Sequence, residues 1–112
     1  MRRSGSRSCE IRKGWFETTV SAFSKERPSI AALRLDGDWY ESTMTCLVHL
    51  FPLVAPGGVV LIDDYFDWLG CRRAVHDYLS REERPEPIVS SRLGRVAWLP
   101  KRDDAAAHER LP

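Results

Sequence analysis

Apolar positions fall in short runs separated by polar breaks. The polar stretch Lys25-Glu26-Arg27-Pro28 leads into Ile30-Ala31-Ala32-Leu33-Arg34-Leu35, a mostly apolar run that suits a buried strand and stops at Asp36-Gly37-Asp38. From Tyr40 the period changes. Tyr40, Met44, Leu47, Val48 and Phe51 recur at three- and four-residue intervals, which predicts one face of a helix. Pro52 bends or ends that helix, and Ala55-Pro56-Gly57-Gly58 is a turn signal. Val59-Val60-Leu61-Ile62 reads as a strand buried on both faces and ends at Asp63-Asp64. A second helix is predicted from about Leu69 to Glu83, with Val75, Tyr78 and Leu79 inward and Pro85 and Pro87 closing it. Ile88–Ser91 and Arg95–Leu99 are two further short strands joined through Gly94.

Strand, helix, strand, helix and two closing strands make an α/β layered fold with a largely parallel sheet that ends in a β-hairpin. Residues 1–13 are polar, basic and unpatterned and read as a disordered leader, in which Glu10-Ile11-Arg12 could be the stump of a strand. Residues 14–100 form the patterned domain, and residues 101–112 read as a loose, charged and Ala-rich tail.

Composition narrows the classes of function. A formal charge of +1 over 112 residues gives no strong pull toward nucleic acid or a membrane surface. No apolar run follows the basic start as a secretory signal requires, and none approaches the ~20 residues of a membrane span, so the cytoplasm is expected. Cys9, Cys46 and Cys71 fit neither a CxxC pair nor a disulfide framework and read as reduced thiols.

The candidate chemistry lies in the acids. Ligands of open α/β sheets bind beyond the C-terminal ends of the strands, and neighbouring strands are ~4.8 Å apart. If the two strands are adjacent, Asp36 and the Asp63–Asp64 pair converge and repel one another unless a cation offsets them. A hard divalent ion with oxygen ligands, magnesium first, is the simple compensator. Such an ion can hold a substrate hydroxyl and lower its pKa, and Asp38 is placed to take the proton as general base. A single Asp here would read as a turn or cap residue, with Asp38 capping the helix that begins near Tyr40. Four acids on two strand ends are less readily reduced to that. His49 and His76 read as solvated or core-satisfied. Trp15, Trp39, Trp68 and Trp98 read as packing groups, with Trp39 and Trp68 the two near strand ends where substrate would arrive.

Together these segments resemble the macrocin O-methyltransferase family, which modifies sugar hydroxyls on macrolide and aminocoumarin antibiotics. The matching stretches are Lys13-Gly14-Trp15-Phe16, Leu33-Arg34-Leu35-Asp36-Gly37-Asp38, Tyr40-Glu41-Ser42-Thr43-Met44, Leu53-Val54-Ala55-Pro56-Gly57-Gly58, Ile62-Asp63-Asp64-Tyr65 and Cys71-Arg72-Arg73-Ala74-Val75. The resemblance implies the C-terminal half of a Rossmann-like class I methyltransferase sheet, S-adenosylmethionine as methyl donor and magnesium as the ion. It implies Asp36, Asp63 and Asp64 as metal ligands, Asp38 as general base and a small-molecule glycoside as substrate.

Two departures stand out. Trp39 occupies a position where family members often have a smaller aliphatic residue. The family's cofactor-binding strand and Gly-rich turn precede the Gly-Trp-Phe stretch, whereas here a polar leader precedes it and the 112 residues contain no E-x-G-x-x-x-G-like turn. The expectation is a truncated form, catalytically incompetent alone, whose Ile30–Leu35 strand becomes a sheet edge open to self-association or to another chain. Competing readings are a non-catalytic fragment or pseudo-enzyme that binds a partner chain, a glycosyltransferase using Asp36-Gly37-Asp38 as its DxD motif, and a dehalogenase-type phosphotransferase. The last wants a Thr or Val shortly after the second Asp, where Trp39-Tyr40 stand instead.

Overall fold

Alternation along the chain becomes one four-stranded sheet with helices packed against one of its faces. The computed structural model describes residues 9–36, 39–91 and 96–103. The elements are α1 (Phe16–Ser24), β1 (Ile30–Leu35), α2 (Tyr40–Leu50), a single 3-10 turn (Phe51–Leu53), β2 (Val54–Ile62), α3 (Leu69–Arg81), β3 (Val89–Ser90) and β4 (Ala97–Pro100). The sheet order is β1-β2-β4-β3. β1 and β2 run parallel with Leu33 opposite Val60 and Leu35 opposite Ile62, and β4 lies antiparallel to both β2 and β3. The sheet is therefore mixed, and among the described strands β1 is an edge, as expected. Residues 92–95, where Gly94 was expected to turn a hairpin, lie outside the described residues.

Because side chains alternate across a strand, the register sorts them into rows. Leu35, Val60, Ile62, Ala97 and Leu99 share one buried face and pack with Leu47 and Phe51 at α2 and with Val75, Tyr78 and Leu79 of α3. The alternate row, Arg34, Leu61 and Trp98, is exposed or half-buried. β2 is thus closed on one face only, not on both, because its Leu61 row has no equally tight cover.

Other local expectations shift for nonlocal reasons. Ala55–Gly58 runs as strand: Gly57 N–H donates to the Lys101 carbonyl at 3.0 Å and Lys101 N–H to the Gly58 carbonyl at 2.9 Å, so partners on the adjacent segment hold a turn-prone sequence extended. α2 buries Thr43, Cys46, Leu47 and Leu50 while Val48 is exposed, a face rotated from the expected one because α2 packs on both α1 and α3. α1 answers to no element in the sequence reading; Val20 packs against the core. Residues 10–12 form no strand.

The end of α2 is closed by a buried cation. Lys101, 4% exposed, donates from Nζ to the carbonyls of Phe51 at 3.0 Å and Val54 at 2.7 Å, where the 3-10 turn leaves acceptors. This ammonium and the Arg84 guanidinium both lie over the Phe51 ring, 4.9 and 5.3 Å from its centroid. The first residue of the expected tail is thus part of the core, while residues 104–112 lie outside the described residues.

Candidate functional site

β1 and β2 are parallel neighbours, so their C-terminal ends finish together. The Asp63 N–H donates to the Leu35 carbonyl at 3.1 Å, which continues the ladder one step and sets the Asp36 and Asp63 backbones side by side. This is the adjacency on which the acid cluster depends. Asp64 follows, with its Oδ2 buried and its carbonyl accepting the Trp68 N–H at 3.0 Å. Asp38 lies outside the described residues.

Arg34 enters this group from β1. Period-two alternation puts it on the same face as Asp36, and it is ion-paired and hydrogen-bonded to Asp63 Oδ2. The bond to Asp63 holds the guanidinium above its ordinary pKa, and the charges of Asp36 and Asp64 add to the shift. Both acids therefore lie within the electrostatic reach of Arg34. Among the described residues no three of His, Cys, Asp and Glu are already gathered as a metal cage. The donor chemistry nevertheless fits a hard dication: all-oxygen, anionic and carried on adjacent strand ends.

Two tyrosines secure the segments that follow the acids. The Tyr40 hydroxyl, at the start of α2, donates to Asp77 Oδ2 at 2.7 Å, which raises the Tyr40 pKa. Tyr65, directly after Asp64, is buried and its hydroxyl is hydrogen-bonded to His76 Nε2 at 2.5 Å, with the two rings stacked at 5.8 Å. The start of α2 and the residue after Asp64 are thereby tied to consecutive residues of α3. The sequence reading missed Tyr40, Tyr65 and Asp77 in this role and gave His76 only a generic one. The available signal is that each acidic motif is closely followed by a tyrosine. Gly70 lets the helices approach: a Cβ there would meet the Tyr40 backbone nitrogen at 3.1 Å.

The tryptophans depart from the packing expectation. Trp39 is 68% and Trp68 45% exposed, with ring centroids 6.4 Å apart, and Trp15 is also exposed. Only Trp98 is half-buried in the sheet. A cavity of about 670 Å³ opens beside Asp36, walled by Trp15, Phe16, Trp39, Glu41 and Thr45, within the size range of small-molecule sites. His49 bonds locally, its Nδ1 donating to the Thr45 carbonyl at 3.0 Å. Cys46 is buried, and desolvation pushes its thiol up to about 11, so it is no nucleophile. No helix among the described residues is long and apolar enough to cross a membrane.

The chain is similar to known O-methyltransferases over about three quarters of its length. The chain is 49% identical over 86 residues to 8-demethyl-8-(2,3-dimethoxy-alpha-L-rhamnosyl)-tetracenomycin-C 4'-O-methyltransferase of Streptomyces olivaceus, covering 76% of this chain and 31% of that protein. It is 42% identical over 85 residues to mycinamicin III 3''-O-methyltransferase of Micromonospora griseorubida, covering 76% of this chain and 32% of that protein. Among solved structures, the O-methyltransferase NovP superposes with a TM-score of 0.71 at 32% identity, over 80% of this chain and 36% of that one. The chain spans about a third of the length of the curated relatives it matches. The profile of the macrocin-O-methyltransferase (TylF) family matches residues 6–99, and the chain belongs to that family.

Proposed function

We propose that this chain is the C-terminal part of an S-adenosylmethionine-dependent O-methyltransferase acting, with a divalent ion, on a sugar hydroxyl of a macrolide-like or related natural product. The observation that carries the reading is the Asp63 N–H to Leu35 carbonyl bond, which aligns Asp36 with Asp63 at the paired strand ends. The names of the relatives support a small-molecule sugar acceptor. Family membership favours methyl transfer over the glycosyl-transfer reading of Asp36-Gly37-Asp38.

Asp36, Asp63 and Asp64 would hold the ion, magnesium by preference, and Asp38 would take the acceptor hydroxyl's proton. When bound, S-adenosylmethionine supplies an electrophilic methyl group, and the ion lowers the pKa of the acceptor hydroxyl. The chain's own part is to orient the hydroxyl at the strand ends, beside the aromatic-walled cavity, and to accept its proton. These 112 residues contain no E-x-G-x-x-x-G-like turn, so we expect no donor binding by this chain alone.

Manganese, a paramagnetic stand-in for magnesium, tests the reading. Titration followed by electron paramagnetic resonance should give a single site, weakened at least about tenfold by Asp36→Asn or Asp63→Asn. Unchanged binding in both variants removes the metal site. Calorimetric titration with S-adenosylmethionine should give no heat, and micromolar affinity would overturn the expectation that these residues alone do not hold the donor.

A second reading rests on β1. Its position at the sheet edge, with Ala31 and Ala32 exposed, favours pairing with another chain or a second copy. Light scattering after size-exclusion chromatography separates a monodisperse dimer from a monomer or aggregate.

A further inference from the structure

Three observations converge on Arg34. It shares a face of β1 with Asp36, it is ion-paired to Asp63, and its side chain is 62% exposed, with room to swing into solvent. Its ladder partner is Leu61, so the guanidinium reaches diagonally past the paired strand to the acid two residues further on. A carboxylate oxygen that accepts a guanidinium proton is a poorer ligand for an incoming dication, and two cations at one carboxylate repel.

We propose that Arg34 is the resident counter-cation of the acid cluster, holding the Asp63 carboxylate while no dication is bound and releasing it when one enters. The inference rests on the metal-binding reading above and adds a regulator to it. Arg34 sets the ion affinity of the site and keeps the ion-free cluster from repelling itself apart. An exposed ion pair is weak, so release is a modest obstacle and the site remains loadable.

The test is manganese binding to the full 112-residue chain, with Arg34→Gln and Arg34→Lys compared with the unmodified protein and Asp36→Asn as reference. Arg34→Gln should tighten manganese binding roughly three- to tenfold, while Arg34→Lys, which keeps the charge, should stay within about twofold. In thermal melts, Arg34→Gln should gain more melting temperature from saturating magnesium than the unmodified protein does. If Asp36→Asn weakens manganese but Arg34→Gln leaves it unchanged or weaker, the inference falls and the metal site stands. If neither the unmodified chain nor Arg34→Gln binds manganese, both fall. Far-UV circular dichroism establishes that each variant is folded, and Arg34→Lys supplies the comparison if Arg34→Gln is not.

Discussion

The Tyr40 hydroxyl donates to Asp77 Oδ2 at 2.7 Å, tying the first residue of α2 to the third turn of α3. The helices meet where Gly70 leaves space, so this bond fixes the segment that follows the first acidic motif to the helix that follows the second.

Removing it should have a signature in pH. The Tyr40 pKa is raised chiefly by the bond to Asp77, so its contribution is present below the ordinary tyrosine value near 10 and is lost as pH rises through the native value. Tyr40→Phe should lower the melting temperature at pH 7, with the gap to the unmodified protein closing under strongly alkaline conditions. Melts at the two pH values check this.

Tyr65 and His76 form the companion tie, and this one is buried on the tyrosine side. Tyr65→Phe should cost about 1 kcal/mol in urea unfolding. His76→Phe should cost more, about 1–3 kcal/mol, because it leaves the buried hydroxyl without its acceptor or donor. Both should weaken manganese binding, since the loosened segment begins at Asp63-Asp64.

Arg84 and Glu86 make an ion pair at 2.6 Å, with the Glu86 side chain fully buried. Burial pushes the Glu86 carboxyl up, but bonds from Arg84 and from the Arg102 N–H outweigh it and hold it below its ordinary value. The stabilisation is therefore present above the unfolded pKa near 4.3 and is lost as pH falls through the lower native value. Glu86→Ala should cost about 3 kcal/mol at pH 7, because it removes a buried carboxylate that pairs with Arg84 and accepts the Arg102 N–H. Glu86→Gln should flatten the acid limb of the stability profile. Denaturant melts across pH 2–7 check both.

Gly57 and Gly58 should respond differently to alanine. A Cβ on Gly58 would lie 2.7 Å from the Ala31 carbonyl oxygen and 2.9 Å from that of Ala55, so β1 and β2 would have to part, at about 1–3 kcal/mol. Gly57 has open space but a φ of +88°, so Gly57→Ala should cost about 1–2 kcal/mol through backbone strain alone. Because Gly58 lies on the β1–β2 seam, only its substitution should also weaken manganese binding at the far end of those strands.

Much of this was legible along the chain. The runs at Ile30–Leu35 and Val59–Ile62 and the spacing of Val75, Tyr78 and Leu79 depend on local periodicity, and the structure keeps all three as strand, strand and inward helix face. Acids directly after two strands were equally plain. α1 was missed, and Ala55–Gly58 was read as a turn because Pro and Gly are turn residues by local preference. The Lys101 partners that hold it extended lie more than forty residues away.

The sequence by itself determined the α/β alternation, the family and the identity of the acids, since each is carried by residues close together in the chain. Only the tertiary structure decided that β4 inserts between β2 and β3, that β1 ends beside β2 in register, and that Arg34, Tyr40 and Tyr65 take Asp63, Asp77 and His76 as partners. Strand order, register and side-chain pairing join residues distant along the chain. They are chosen by the packing of the whole core, which no short window of sequence contains.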